Sequence, residues 1–149
     1  MESYVTVQSI LNTQQENYTA YIAPDATIDQ VLQSPGLECT GAVVVSTDGM
    51  TIGGIVSERD IVHGLKTIGA ELLSKPVRDL MTVKVLTCEP SDSAAGIMAL
   101  MASRRVRHVP VVTDGKLIGM VSVRDVLQLR LQEVLAEAQA MEQYIGGSL

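Results

Sequence analysis

The sequence predicts an α/β (α+β) protein made of two tandem β-α-β-β-α repeats, packed sheet to sheet with pseudo-two-fold symmetry and followed by a C-terminal helix. Three observations carry this expectation. GIVSERD at residues 54–60 returns as GMVSVRD at 119–125, 65 residues later. Each copy follows a valine-rich run and an Asp-Gly pair, AVVVSTDG at 42–49 and VPVVTDG at 109–115. The leading segment Val7-Gln8-Ser9-Ile10-Leu11 parallels Val77-Arg78-Asp79-Leu80-Met81. With Ser74-Lys75-Pro76 near the junction, the first repeat is assigned to residues 1–74, the second to 75–131 and a helical extension to 132–149.

Taken in chain order, each leading segment reads as a short helix. TAYIAP at 19–24 and VLTCEP at 85–90 then read as matching first strands. Asp25 to Ser34 has a weak helical periodicity. SDSAAGIMALMASRR has a clearer one, carried by Ile97, Leu100, Met101 and Val106. Val43-Val44-Val45 and Val109 to Val112 are β-branched runs, and the Asp-Gly pairs after them (Asp48-Gly49, Asp114-Gly115) favour tight hairpins. Gly54-Ile55-Val56 and Gly119-Met120-Val121 supply the returning strands. From Leu127 the apolar positions Leu131, Val134, Ala138, Met141 and Ile145 keep a 4-3-4-3-4 spacing, one stripe along a helix that ends near Gly146-Gly147. That stripe needs cover, either from the helix near Val7 to Leu11 or from a second copy of the chain, and a homodimer is the favoured option.

At 149 residues the chain is the size of one ordinary domain, and its 46% hydrophobic content is globular. It has no Phe and no Trp, only Tyr4, Tyr18, Tyr21 and Tyr144, so the core must be aliphatic. A single repeat would be marginal alone, and packing two together supplies the missing core. A net charge of −6 opposes binding to a nucleic-acid polymer, which depends on neutralising many phosphates. No apolar run is long enough to span a bilayer and MESYVTVQSI lacks the features of a signal peptide, so a cytoplasmic protein is expected. Cys39 and Cys88 stand alone, without a CxxC or a nearby His pair, which points to buried apolar roles and no metal site.

The Ser-x-Arg-Asp element has two readings. A Ser after a strand with an acid three residues on has the form of a helix capping box. The same strand-to-helix junction presents free N–H groups to an anion, and a carboxylate one turn in can accept two neighbouring hydroxyls, as a ribose requires. Recurrence at equivalent positions, each time after Gly and apolar residues and with Arg before the Asp, favours the second use alongside the first. Helix-surface ion pairing is the alternative for Arg59 and Arg124. His63 and His108 fall in separate halves, with no nucleophile-and-base arrangement and no GxxxxGK[ST] loop, so catalysis is not expected.

These motifs resemble a tandem pair of cystathionine-β-synthase (CBS) domains, the Bateman module, in a small stand-alone bacterial form. The resemblance covers roughly Tyr4 to Leu131. It implies a non-catalytic adenine-nucleotide sensor that takes AMP, ADP, ATP or NAD(H), needs no cofactor, and signals to a separate, unknown effector protein. The alternatives are an S-adenosylmethionine-binding module and a ligand-free scaffold. Each site would use both repeats. The first would join Ser57, Arg59 and Asp60 to Thr82, Val85, Leu86, Val106, Arg107 and His108. The second would join Ser122, Arg124 and Asp125 to Thr19, Ala20, Cys39, Thr40 and Gly41. RVRHVPV offers basic residues to phosphate, whereas the matching CTGAVVV offers none.

Overall fold

The computed structural model describes residues 5–14 and 20–147. Its elements run α1 (Val7–Thr13), β1 (Tyr21–Ile22), α2 (Ile28–Leu32), α3 (Pro35–Thr40), β2 (Ala42–Val45), β3 (Gly54–Ser57), α4 (Glu58–Ile68), α5 (Ala94–Arg104), β4 (His108–Thr113), β5 (Lys116–Ser122) and α6 (Val123–Gly147). Two short 3₁₀ turns, Ala70–Ser74 and Val77–Asp79, join the halves. The first sheet has the order β1-β2-β3, with β1 parallel and β3 antiparallel to β2, and the second is the antiparallel pair β4-β5.

The strand alternation directs side chains to two different cores. In β2, Val43 and Val45 face a cluster with Ile28, Val31, Leu37, Val56, Ile61 and Val77. Ala42 and Val44 face the other way, onto Leu117 and Met120 of β5, so the two sheets meet face to face. Val109, Val111 and Val121 point from the second sheet into a third cluster with Cys88, Ala94, Ile97, Met101 and Val126. Each buried Val or Ile is worth roughly 1.5–3 kcal/mol by area, enough to support a core without Phe or Trp.

The leading segments pack crosswise. Val7, Ile10 and Leu11 of α1 belong to the cluster of the second repeat, and Val77, with Leu80 and Met81, to that of the first. Backbone bonds fix both arrangements: Val7 N–H donates to Asp92 (2.9 Å) and Ala94 N–H to Val5 (2.8 Å), while Val77 N–H donates to Ala26 (2.7 Å) and Ile28 N–H to Lys75 (3.0 Å). The motif glycines make room for these segments. A Cβ on Gly119 would lie 2.9 Å from Leu11 Cδ2, and one on Gly54 2.5 Å from Met81 Sδ.

Several local details differ from the sequence reading. The first strand of the second repeat shrinks to a single parallel bridge, Cys88 with Val111. Cys88 N–H donates to Pro110 and Val112 N–H to Cys88. Extending that ladder one step either way would require an N–H on Pro110 or on Pro90, and neither has one. In the first repeat Val44 stands where Pro110 does, and β1 forms. Asp114 and Gly115 make the expected two-residue hairpin, both with positive φ (52° and 75°). Asp48-Gly49 does not: pairing stops at Val45 with Gly54, and loop 46–53 is organised by Asp48 instead. Its Oδ1 accepts Met50 N–H (2.8 Å) and Thr51 N–H (2.7 Å), which lowers the carboxyl pKa to about 2. Pro35 starts a helix, α3, that periodicity did not reveal.

Cys88 is buried, and burial, then the charge of Asp92, pushes its thiol up to about 12; Cys39 is exposed on α3, against the expectation for it. The stripe on α6 is not folded back: Leu131, Val134 and Met141 are each more than half exposed, and the helix packs through Val126 and Leu129. Among the described residues no helix is long and apolar enough to cross a membrane.

A side-chain hydrogen bond ties the start of β4 to the end of α3 in the other repeat. His108 Nε2 donates to the carbonyl of Thr40 at 2.5 Å. Burial lowers the His108 pKa; the Thr40 bond and the charges of Asp125 and Glu58 oppose this, and Arg107 adds to it. A base whose folded pKa is depressed binds its proton more readily when unfolded, so its contribution falls as pH drops through about 6.5. Urea unfolding at pH 7.5 and 5.5 should show a stability loss on acidification that shrinks in His108→Gln; an unchanged pH dependence in the variant would dissociate the loss from this ring.

Candidate functional site

The Ser-x-x-Asp junctions form as capping boxes in both repeats. Ser57 N–H donates to Asp60 Oδ2 (2.9 Å) and Asp60 N–H to Ser57 Oγ (3.2 Å); Ser122 and Asp125 repeat both bonds at the same lengths. Each box sits where a strand passes directly into a helix, so the acid is held at the positive end of the helix beside the strand edge.

At the first junction lies an open cleft of about 1210 Å³, large enough for a nucleotide. All nine residues of the first set line it: Ser57, Arg59, Asp60, Thr82, Val85, Leu86, Val106, Arg107 and His108. The fold brings them together because the 3₁₀ turn Val77–Asp79 packs on the first repeat and delivers 82–86 beside β3, where Ile55 N–H donates to Thr82 and Thr82 N–H to Ile55. Asp60 Oδ2 is held by Ser57, and its other oxygen accepts no hydrogen bond among the described residues. Aliphatic Ile55, Val62, Val85, Leu86 and Val106 supply apolar wall, and Thr40, Gly41 and Ala42 close the side beside His108.

The lining also contains Lys84 and Arg104, cations that the motif reading did not single out, and Arg105, the first residue of RVRHVPV. With Arg59 and Arg107 they place five of the eleven Lys and Arg residues around one opening, against the acids Glu58 and Asp60. Arg105 reaches the rim because it ends α5 in the left-handed conformation (φ 55°). The run RRVRH held that signal, and all three of its arginines line the cleft. The proposed surface ion pairs do not form: among the described residues the salt bridge is Arg130 with Glu133 (2.9 Å), and neither Arg59 nor Arg124 joins an acid.

The second set is not assembled in the same way. Thr40 and Gly41 line the first cleft, Cys39 and Arg124 are exposed, and Ala20 is half-buried beside Gly36. Thr19 lies outside the described residues. Asp125 Oδ2 accepts from Gln14 Nε2 (3.2 Å) as well as from Ser122. No group of three or more His, Cys, Asp or Glu among the described residues could hold a metal ion.

Comparison with known proteins gives this geometry a context. The CBS domain family model matches residues 77–132. CBS domain-containing protein CBSX3, mitochondrial, of Arabidopsis thaliana is 35% identical over 127 residues, 83% of this chain; the chain spans 62% of that relative's length. The CBS-domain containing protein ATU1752 from Agrobacterium tumefaciens is 31% identical and superposes with a TM-score of 0.78 over 85% of this chain and 99% of its own. CBSX2, solved in complex with AMP, is 28% identical with a TM-score of 0.69, over 87% and 98% of the two chains. Two crossed repeats, each ending in Gly-x-x-Ser-x-x-Asp and superposing on such proteins over nearly their full length, identify the chain as a member of the CBS domain family, with the repeats arranged as a CBS pair.

Proposed function

We propose that the protein is a non-catalytic sensor that binds an adenine nucleotide, AMP, ADP, ATP or NAD(H), in the first cleft and passes that state to a separate effector chain. The observation that carries this reading is the convergence of a half-free carboxylate, an apolar wall and five cations on one opening between the repeats. Asp60 suits a vicinal diol, the 82–86 segment and Val106 suit a flat base, and the cations suit phosphate. A related CBS protein in complex with AMP supports the same class of ligand. His108 enters as a neutral ring whose Nε2 hydrogen is already given to Thr40, so phosphate contact falls to the arginines, Arg107 first. The exposed free thiol of Cys39 fits a reducing compartment, and we assign the protein to the cytoplasm.

The exposed stripe Leu131, Val134 and Met141 has the spacing of a helix-pairing surface, and we assign its cover to a second copy of the chain. The dimer would then rest in part on the tail helices.

Calorimetry with AMP, ATP, NADH and S-adenosylmethionine tests the reading directly; no heat from any of the four would leave a scaffold. Asp60→Ala should weaken adenine-nucleotide binding by about 1.5–3 kcal/mol, the range for a hydrogen bond to a charged group. A thermal melt on the same variant reads the separate loss of the helix cap, about 0.5–2 kcal/mol. Arg107→Ala should weaken ATP and AMP while sparing adenosine, because charge-assisted contacts act on the anion alone; equal losses for adenosine and AMP would make Arg107 a wall of the pocket instead. Removing residues 132–149 should lower the assembly mass in sedimentation, and an intact dimer after truncation would move the interface to the repeat helices.

A further inference from the structure

The two Ser-x-x-Asp boxes match bond for bond, but their acids differ in what else they hold. Asp60 has a carboxylate oxygen open to the first cleft. At Asp125 the side chain of Gln14, the residue that ends α1, donates from Nε2 both to Asp125 Oδ2 (3.2 Å) and to the carbonyl of Met120 (2.9 Å). Both partners are pure acceptors, so the amide nitrogen must face them, and each of its two hydrogens has one partner. Two donors arriving together at this carboxylate and the adjoining strand edge are what a vicinal diol would bring. Gln14 delivers an equivalent pair from the chain itself.

The repeat makes the contrast a matter of sequence. VQSILNTQ at 7–14 aligns without a gap on VRDLMTVK at 77–84, so Gln14 corresponds to Lys84. Lys84 lines the first cleft and, among the described residues, makes no hydrogen bond or ion pair with Asp60. One junction therefore has a cation lining its cleft, and the other has an amide seated on its carboxylate. Because α1 is anchored in the core through Val7, Ile10 and Leu11, its C-cap residue Gln14 is brought beside Asp125.

We propose that Gln14 is an internal occupant of the second site that limits the chain to one nucleotide, an inference that rests on the reading of the first cleft as a nucleotide site. A nucleotide at Asp125 must first displace two hydrogen bonds, one of them to a charged group, at a cost of about tenfold or more in affinity.

Titration calorimetry with AMP should give one site per wild-type chain and two for Gln14→Ala, and the double variant Gln14→Ala/Asp125→Ala should return to one. Two sites in the wild type, or one site in both the wild type and Gln14→Ala, would overturn the proposal. A site that appears only in Gln14→Ala would uphold the latch while removing the assignment of nucleotide to the first cleft. If AMP binds to neither protein, that assignment fails and the contact is read without ligand: the side-chain amide protons of Gln14 should exchange with solvent several-fold faster in Asp125→Ala than in wild type. Equal exchange in the two proteins would overturn the latch.

Discussion

The structure depends on the crosswise placement of the leading segments. A repeat of this size, with one small sheet, cannot bury its apolar face alone. Each is closed by a segment that precedes the other: α1 seals the cluster around Val109 and Val121, and Val77 with Leu80 and Met81 seals the one around Val43 and Val45. The glycines that begin the two Gly-x-x-Ser-x-x-Asp motifs are part of this closure, because a methyl group on either would strike Leu11 or Met81. A motif that reads as ligand chemistry thus begins with a packing requirement.

The cleft is a by-product of the same crossing. Once the segment after Val77 is tied to the first repeat, residues 82–86 run beside β3 and face the strand-to-helix junction at Asp60. The second repeat contributes the end of α5 and the start of β4, and His108 locks that start to Thr40 across the sheet interface. Divergence between the copies then decides their chemistry. Arg107 stands where the first copy has Gly41, and Lys84 where it has Gln14, so charge collects on one side of a nearly symmetric frame.

Much of this was legible in the sequence because it lies in repeated, strongly patterned segments. The two repeats, the Asp114-Gly115 turn and the capping boxes follow from residue type and spacing, whereas the nine residues gathered at the first cleft were what the resemblance to CBS pairs implied. What escaped depends on backbone detail. Pro90 and Pro110 removed a strand that the pattern of apolar residues favoured, by withholding the two N–H groups a parallel ladder needed. Asp48 drew the first hairpin into a wider loop by accepting backbone donors. Lys84 and Arg104 reach the cleft only through the turn and helix end that carry them. Gln14 had no signature at all, since a glutamine at a helix end is ordinarily solvated and its partners lie more than a hundred positions away.

The crossed leaders also make the two cores unequal in time. The cluster that Val77 closes draws its members from residues 22–81, so it can assemble from neighbours along the chain. The cluster that α1 closes must bring Val7 against Val121 and Val126, near the opposite end of the repeats. Loop-closure entropy grows only as the logarithm of loop length, so this reach costs little at equilibrium, but distant contacts are slow to find. The first core is therefore expected to form first, with the N-terminal helix docking on the second repeat as the later step.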